Sequence, residues 1–258
     1  MGLTPQSEGT PIQGAPAPDV IAHSPLSGRF ALVTGAGSGI GRAVALLLAR
    51  HGMKILLVGR REEILRDVAE RIGANGIALS ADLATEIGRA NVAAAVPPEL
   101  DVLVHCAGIH LREAITATDG AAWAALDAVN VHAPILLTAI CRPALRAASG
   151  QVVFVNSTAG IQTAGAEAAA YAAGKHALRV ATDALRRELN PDGIRVLSVF
   201  PGRTDTPMQD AILAQEGRVA APGALMKPED VAAMILAALL LPKTAEVTDI
   251  TLRPMRPL

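Results

Sequence analysis

Short apolar runs alternate with longer Ala- and Leu-rich stretches of helical length from Phe30 to the end of the chain. This alternation is typical of βαβ units, in which a helix carries the chain from one strand of a parallel sheet to the next. Polar residues rarely interrupt the apolar runs, as expected of strands that helices cover on both faces of the sheet. The pattern therefore predicts an α/β fold, with a doubly wound parallel sheet at the centre of a three-layer sandwich.

Seven runs have the length and composition of strands. We place them at 30–34, 54–58, 76–80, 101–105, 151–155, 194–200 and 247–252. Helices with apolar residues at i, i+3 and i+4 are predicted near 40–51, 62–72, 85–96, 119–147, 167–190 and 229–241. Gly52 and Gly73 stand where a glycine commonly ends a helix. Seven strands fit one sheet and no change of composition divides residues 29–258, so we expect a single domain there.

The first 28 residues differ in composition from the rest of the chain. They contain five prolines among Gly, Ser and Ala, with few bulky apolar side chains. Such a segment buries too little apolar surface to offset the entropy that it would lose on ordering. We therefore predict that residues 1–28 form a flexible, Pro-rich extension.

Charge and cysteine content argue against several function classes. The 23 Lys and Arg residues nearly balance the 24 Asp and Glu residues, so the chain has no field that would attract nucleic acid or an anionic membrane. Cys106 and Cys141 form no ligand pattern, and no metal site is expected. The apolar stretch Val231–Leu241 is too short for a membrane span, and no Lys or Arg precedes Arg29 to form a basic targeting signal. We expect a cytoplasmic protein.

A glycine-rich loop, Thr34–Gly41, directly follows the first strand and opens the first helix. Glycines allow the backbone to approach a pyrophosphate closely, and the N–H groups of the helix start then point at the anion. Gly35, Gly39 and Gly41 give the spacing G-x-x-x-G-x-G, which is more diagnostic than a simple tight turn, the alternative for such a loop. The predicted dinucleotide contacts are Gly35, Gly37, Ser38, Gly39, Ile40 and Gly41.

The end of the second strand indicates which dinucleotide binds. A carboxylate that would bind the adenosine ribose 2′-hydroxyl is expected there, but the strand runs into Gly59, Arg60 and Arg61. Guanidinium groups match a 2′-phosphate through bidentate, charge-assisted hydrogen bonds, so NADP(H) is favoured over NAD(H). The alternative is that both arginines pair with Glu62 and Glu63 at a solvated helix start.

Tyr171 and Lys175 are four residues apart, which places them on one face of a helix. A phenol has an ordinary pKa of about 10, and a nearby ammonium favours its ionised form. The pair can therefore act as a tunable acid and base. Tyr171 is also the one tyrosine of the chain.

Together these motifs resemble those of the short-chain dehydrogenase/reductase family, in its single-domain, NADP(H)-preferring branch, from about Arg29 to the C-terminus. The glycine loop resembles the cofactor loop of the family, and Tyr171 with Lys175 resembles its catalytic Y-x-x-x-K pair. The further matches are Asp82-Leu83 after the third strand, Asn130 in the long helix, Asn156-Ser157 after the fifth strand, and the segment Pro201-Gly202 with Thr204 and Thr206.

The resemblance implies a Rossmann-type oxidoreductase that transfers a hydride between NADP(H) and a small carbonyl or secondary alcohol. It implies that Tyr171 exchanges the proton, Lys175 lowers its pKa and holds the nicotinamide ribose, Ser157 binds the substrate oxygen, and Asn130 seats a water of the proton relay. It adds cofactor contacts at Asp82, Leu83, Cys106, Ala107, Gly108, Pro201, Gly202, Thr204 and Thr206. The partners it implies are a small-molecule substrate and further copies of the chain, as a homodimer or homotetramer.

Three features depart from the family pattern. His105-Cys106 replaces the usual Asn-Asn before Ala107-Gly108, the interval from Ser157 to Tyr171 is 14 residues, about one longer than usual, and the last strand runs into Arg253-Pro254 without a Gly-rich ending. The last departure puts a tetramer in doubt.

Other readings of the sequence stay open. A non-catalytic NADP(H)-binding or sensing protein on the same fold is the alternative function. For His110 a solvated loop position is favoured over a substrate contact, and Trp123 is expected to pack on the long helix. Aromatic residues make up 2% of the chain, so we expect an aliphatic pocket for a modest aliphatic or alicyclic carbonyl. The segment Pro207–Pro228 is expected to be a lid without a long helix.

Overall fold

The computed structural model describes residues 24–162 and 165–256. Its strands are β1 (Phe30–Thr34), β2 (Lys54–Gly59), β3 (Gly76–Ser80), β4 (Val102–His105), β5 (Gln151–Val155), β6 (Arg195–Pro201) and β7 (Asp249–Leu252). They form one fully parallel sheet in the order β3-β2-β1-β4-β5-β6-β7. The seven-stranded, doubly wound sheet predicted from the sequence is therefore confirmed.

The helices are α1 (Gly39–Arg50), α2 (Glu62–Ile72), α3 (Glu86–Ala95), α4 (Gly120–Asp127), α5 (Ala133–Ala148), α6 (Ala169–Leu189), α7 (Pro207–Gln215) and α8 (Pro228–Leu239). A π-helical turn, Ala128–His132, joins α4 to α5 within the long helix that the sequence predicts as continuous. Gly52 and Gly73 follow α1 and α2 with φ of +81° and +80°, as expected of glycines that end helices.

Two helical layers cover the sheet, one on each face. Successive strand residues point to opposite faces. Ala31 and Val33 join a core cluster with α1, α2 and α8, whereas Leu32 joins a second cluster with α3, α5 and α6. Both clusters consist mainly of aliphatic side chains with little exposure, which gives the three-layer sandwich its two cores.

One helical stretch of the described residues, Gly120–Ala148, is long and apolar enough to cross a membrane by length and composition. Its side chains Leu137, Cys141 and Leu145 are buried in the cluster beneath the sheet. The stretch is therefore a core helix of the sandwich.

The described part of the predicted flexible extension packs on the domain, so the boundary at residue 28 is wrong. Leu26 is 2% exposed and joins the core cluster beside α1. The Ser24 hydroxyl hydrogen-bonds His51 Nδ1 at 3.1 Å, and Gly28 N donates to Gly52 O at 3.0 Å. Buried leucine contacts offset the entropy of ordering these few residues. Residues 1–23 of the predicted extension lie outside the described residues.

The strand order reverses between β1 and β4. The chain runs outward from β1 through β2 to β3 and then returns to β4 on the other side of β1. At such a switch point the connections leave the carboxyl ends of neighbouring strands in opposite directions, and a crevice opens between them. The fold thus places the glycine loop after β1 and the Cys106-Ala107-Gly108 turn after β4 at the two sides of one crevice.

Candidate active site

A cleft of about 620 Å³ opens at the carboxyl ends of the strands. It is lined by every cofactor residue predicted from the sequence, namely Gly35, Gly37, Ser38, Gly39, Ile40, Gly41, Arg60, Arg61, Asp82, Leu83, Cys106, Ala107, Gly108, Tyr171, Lys175, Pro201, Gly202, Thr204 and Thr206. Of the predicted catalytic residues, Ser157, Tyr171 and Lys175 line it and Asn130 does not. Apart from Asn130, the sequence motifs, scattered over some 170 residues, converge on this cleft.

The glycine loop packs too tightly for larger residues. Gly35 and Gly39 have φ of +65° and +51°, in the region that favours glycine. A Cβ atom on Gly35 would lie 2.7 Å from Ala107 N, and one on Gly41 would lie 2.4 Å from Gly35 O. Backbone atoms therefore form this wall of the cleft. Such a wall, ahead of the N-terminus of α1, fits the pyrophosphate of a dinucleotide.

Thr34 fixes the two strand ends that flank the loop. Its hydroxyl oxygen accepts hydrogen bonds from Cys106 N and Ala107 N, both at 3.1 Å, and its proton is directed to Val104 O at 3.4 Å. This bonding holds the turn after β4 against β1. The turn thus keeps its place although His105-Cys106 replaces the usual Asn-Asn. His105 is buried, stacks on Phe154 and hydrogen-bonds Thr138 Oγ1 at 2.9 Å.

At the end of β2, Arg60 and Arg61 line the cleft where a carboxylate would bind a ribose 2′-hydroxyl. Glu62 pairs with Arg66 instead, four residues further along α2. Within residues 24–162 and 165–256, neither Arg60 nor Arg61 takes part in a salt bridge. Pairing with Glu62 or Glu63, the alternative considered for these arginines, is therefore absent among the described residues, and both guanidinium groups remain available to an anion.

Tyr171 and Lys175 project from α6 towards Ser157, which follows β5. The Lys175 ammonium lies 5.8 Å from the centroid of the Tyr171 ring and donates a hydrogen bond to Val155 O at 3.3 Å. The Ser157 Oγ accepts from Ala159 N at 3.1 Å, and the Ser157 hydroxyl hydrogen-bonds the Tyr171 phenol. The three side chains form one group of donors at the floor of the cleft.

Burial sets the pKa values of this group. It raises the pKa of Tyr171 to about 12, a rise that hydrogen bonding to Ser157 opposes. It lowers the pKa of Lys175 to about 8, because an ammonium with 4% exposure is poorly solvated. From the sequence, Lys175 is expected to lower the pKa of the phenol. In the protein alone, desolvation of the phenol is the larger effect, so Tyr171 is a neutral proton donor at pH 7.

Asn130 lies in the π-helical turn, behind the wall of the cleft. Its amide oxygen accepts from Ile109 N and its amide nitrogen donates to Ile109 O, both at 2.9 Å. These two bonds position the segment that follows β4. π-Helical turns often occur at functional sites because they redirect one residue of a helix. The side chain of Asn130 is thus engaged with backbone, and its predicted water-seating role stays a prediction.

Asn156 contributes a contact that the sequence analysis does not assign. Its amide nitrogen donates to Lys175 O at 3.1 Å, so it joins the end of β5 to α6 beside the lysine. A Cβ on Gly160 would lie 2.7 Å from Asn156 Oδ1 and 2.9 Å from Lys175 O, which makes a glycine necessary there. The available sequence signal was an asparagine directly after a buried strand, with a glycine four residues later.

Charged side chains line the cleft near His110, alongside aliphatic residues of the kind expected from the sequence. His110 is half-buried, and its ring centroid lies 4.6 Å from that of Tyr171. Arg112, Arg203 and Glu216 line the same part of the cleft and are joined by salt bridges. The favoured solvated position of His110 is therefore wrong. Trp123 packs on the cluster that contains Tyr171, as predicted.

The segment after Thr206 contains a nine-residue helix, α7, that the sequence analysis does not predict. Thr206 caps it by accepting a hydrogen bond from Gln209 N at 3.2 Å, and Pro207 occupies its first turn. Met208 faces the cleft, whereas Leu213 is buried and does not line it. Met208 is therefore the candidate for a substrate contact in this segment.

Comparisons with known proteins agree with this geometry. A sequence model of the family described as short chain dehydrogenase matches residues 29–217. The chain is similar to an uncharacterized oxidoreductase of Staphylococcus saprophyticus, with 33% identity over 89% of this chain and 99% of the relative.

Two solved structures are also similar. One is a metagenomic short-chain oxidoreductase in complex with NADP, at 32% identity and a TM-score of 0.75, covering 90% of this chain and 99% of that one. The other is a 3-ketoacyl-(acyl-carrier-protein) reductase from Brucella melitensis complexed with NADH, at 28% identity and a TM-score of 0.79, covering 90% and 100%. The extent of the family match, the relatives and the fold together lead to one conclusion: the chain belongs to the short-chain dehydrogenase/reductase family and is an oxidoreductase that acts on CH–OH or C=O groups.

Proposed function

We propose that the protein is an NADP(H)-dependent reductase or dehydrogenase that interconverts a small carbonyl compound and its secondary alcohol. The observation that carries this proposal is the convergence of Ser157, Tyr171 and Lys175 on the cleft that the glycine loop also lines. The nicotinamide, when bound, supplies or accepts the hydride. The protein then has to orient the reactants, donate or accept one proton and stabilise charge on the substrate oxygen.

Tyr171 performs the proton transfer in this proposal. In the direction of reduction the neutral phenol donates its proton to the oxygen that becomes the alcohol, and in oxidation the phenolate takes that proton back. The Ser157 hydroxyl, whose lone pair already accepts from Ala159 N, donates to the same substrate oxygen. The Lys175 ammonium stabilises the phenolate and can donate to ribose hydroxyls. Asn156, by bonding Lys175 O, keeps the lysine backbone in register with β5.

The preference for NADP(H) rests on Arg60 and Arg61. Both line the cleft beyond β2 and are free of salt bridges among the described residues, and the residue before them is Gly59 rather than an acid. A guanidinium group binds a phosphate with short, charge-assisted hydrogen bonds, whereas its hydrogen bonds to a neutral ribose hydroxyl are weaker. A non-catalytic NADP(H)-binding protein would need the same arginines but would have no use for the Ser157, Tyr171 and Lys175 group.

The test of the proposal is NADPH oxidation with a panel of small ketones and aldehydes, compared between the wild type and Tyr171→Phe. The substitution removes one oxygen and leaves the packing of the ring almost unchanged. We expect turnover to fall about 100-fold or more, while NADPH binding persists, because the proton donor is lost. Wild-type turnover in a folded Tyr171→Phe protein would refute the mechanism. NADPH binding without turnover of any carbonyl in the wild type would favour the non-catalytic alternative.

We also propose that the chain forms a homodimer or homotetramer in the cytoplasm. Leu136 and Ile140 on α5 and Val180 on α6 are exposed by 43%, 44% and 70%, which supports burial of these helices against another copy. Cys106 and Cys141 are free thiols, as is usual in a reducing compartment. Light scattering of the wild type and of Val180→Glu tests the assembly, which we expect the added charge to weaken.

A further inference from the structure

The charged wall beside Tyr171 is built from three segments that are far apart in the sequence. Arg112 follows β4, Arg203 follows β6, and Glu216 follows the last residue of α7. Arg203 binds the Glu216 carboxylate through both terminal nitrogens, at 2.8 and 2.7 Å, and Arg112 contacts the same carboxylate at 3.3 Å. Two guanidinium groups therefore converge on a single carboxylate at the edge of the cleft.

Both arginines line the cleft and keep N–H donors that no described residue uses. A guanidinium group carries five N–H donors. Arg203 uses two of them on Glu216, and Arg112 uses one on Glu216 and one on Glu167. The side chains of Arg112 and Arg203 are 25% and 34% exposed, whereas that of Glu216 is 9% exposed. A molecule in the cleft thus meets the guanidinium groups more readily than the carboxylate between them.

This wall is close to the position where the substrate oxygen has to lie. His110 is two residues before Arg112, and its ring centroid is 4.6 Å from that of the catalytic candidate Tyr171. Burial, together with the charge of Arg112, lowers the pKa of His110, so it is a neutral hydrogen-bonding group at pH 7. The positive charges of Arg112 and Arg203 act on the His110 ring more strongly than the negative charge of Glu216 does. A charged cluster of this kind contributes little to stability compared with an apolar wall, so stability alone does not account for it.

We propose that the substrate carries a carboxylate, which Arg112 and Arg203 bind while its carbonyl or alcohol carbon lies at Tyr171. The inference rests on the proposed function and goes further, since it names the substrate as a small oxo acid or hydroxy acid. Glu216 already shows that both guanidinium groups can converge on a carboxylate, and it holds Arg203 in place for the ligand. Planar, bidentate recognition of this kind is what arginine provides and lysine does not.

The experiment compares 2-, 3-, 4- and 5-oxo acids, each with its methyl ester, as substrates for NADPH oxidation. The methyl ester keeps the reacting carbonyl and loses only the charge. We expect the wild type to favour at least one acid over its ester by about 10-fold or more in kcat/KM. In Arg112→Gln we expect kcat/KM for that acid to fall about 10- to 100-fold, mainly through KM, and kcat/KM for the ester to change less than about threefold.

Arg146→Gln is the matched control. Arg146 lies near the end of α5, is 71% exposed and pairs with Asp192, away from the cleft. The Arg146→Gln substitution should leave kcat/KM unchanged for both the acid and the ester. Equal use of acids and esters by the wild type would overturn the inference and leave the proposed function intact. So would an equal loss for acid and ester in Arg112→Gln, because it would show that the cluster only fastens α7.

A binding measurement separates failure of the inference from failure of the proposed function. Calorimetric titration of the same acids into the protein with NADP⁺ does not depend on turnover. Binding of an acid that is at least 10-fold weaker in Arg112→Gln supports the carboxylate site even if no carbonyl is reduced. Acids that bind no better than their esters overturn it.

Discussion

Replacing Lys175 with Met tests the account of the buried ammonium. The side chain is 4% exposed, and burial lowers its pKa from 10.5 to about 8. Methionine has a similar length and no charge, so it occupies the same space without the desolvation cost. We expect Lys175→Met to abolish turnover. We also expect its free energy of unfolding to vary with pH differently from that of the wild type.

The size and sign of the effect follow from proton linkage. Because the pKa of Lys175 is lower in the folded protein, the unfolded chain binds more protons between about pH 8 and pH 10.5, and the free energy of unfolding rises with pH in that window. Each pKa unit corresponds to about 1.4 kcal/mol, so the full shift amounts to about 3 kcal/mol. Between pH 7 and about pH 9.5 the wild type should gain about 2 kcal/mol from this group. Lys175→Met should gain none of it.

Urea unfolding of the cofactor-free proteins at both pH values measures this difference. Lys54→Met, which removes an exposed ammonium at the start of β2, reports the general effect of losing one positive charge. The stability of the wild type relative to Lys175→Met should increase by about 2 kcal/mol from pH 7 to pH 9.5. If the difference in free energy of unfolding between the two proteins stays constant with pH, the claim that burial lowers the pKa of Lys175 is refuted.

Three further predictions concern other parts of the chain. Arg60→Ala should raise the Kd for NADPH about 10- to 150-fold and that for NADH much less, as measured by fluorescence titration; equal weakening would show that Arg60 does not bind the 2′-phosphate. Leu26→Ala should lower the free energy of unfolding by about 2–4 kcal/mol, because the side chain is buried in the core, and unchanged urea unfolding would contradict this packing. Amides of α7 should gain protection from hydrogen exchange when NADPH and a substrate bind, and equal protection with and without ligands would disprove its role as a lid.

The strands were predictable because their signal is local. Each apolar run between turn residues has one favourable place, inside the sheet, so the predicted bounds of β1, β3 and β5 match those of the structure.

Helix α7 was missed although its start carried a signal. Thr206 followed by Pro207 is a common helix beginning, but Gly217, Pro222 and Gly223 led the whole segment to be read as irregular.

The charged wall could not be predicted from local pattern. Arg112 and Glu216 are 104 residues apart, and only the parallel sheet brings the loops after β4 and β6 together. Leu26 was misjudged for a similar reason, since a single leucine among prolines gives no periodicity, and its partners lie in the core beside α1. Motifs with fixed spacing, such as Tyr171 and Lys175, identify a site from sequence, whereas its specificity depends on contacts that the fold creates.

The backbone contacts of Gly35 with Gly41 and the Ala107 turn have a thermodynamic consequence. They give the glycine loop its shape while the chain folds, so a dinucleotide meets a loop that has little conformational entropy left to lose. Affinity for the cofactor and stability of the β1–β4 junction are then linked. A ligand that binds only the folded state at 100 times its Kd adds about 2.7 kcal/mol to stability. A substitution at Thr34 that loosens this junction should therefore weaken cofactor binding without removing any contact to the cofactor.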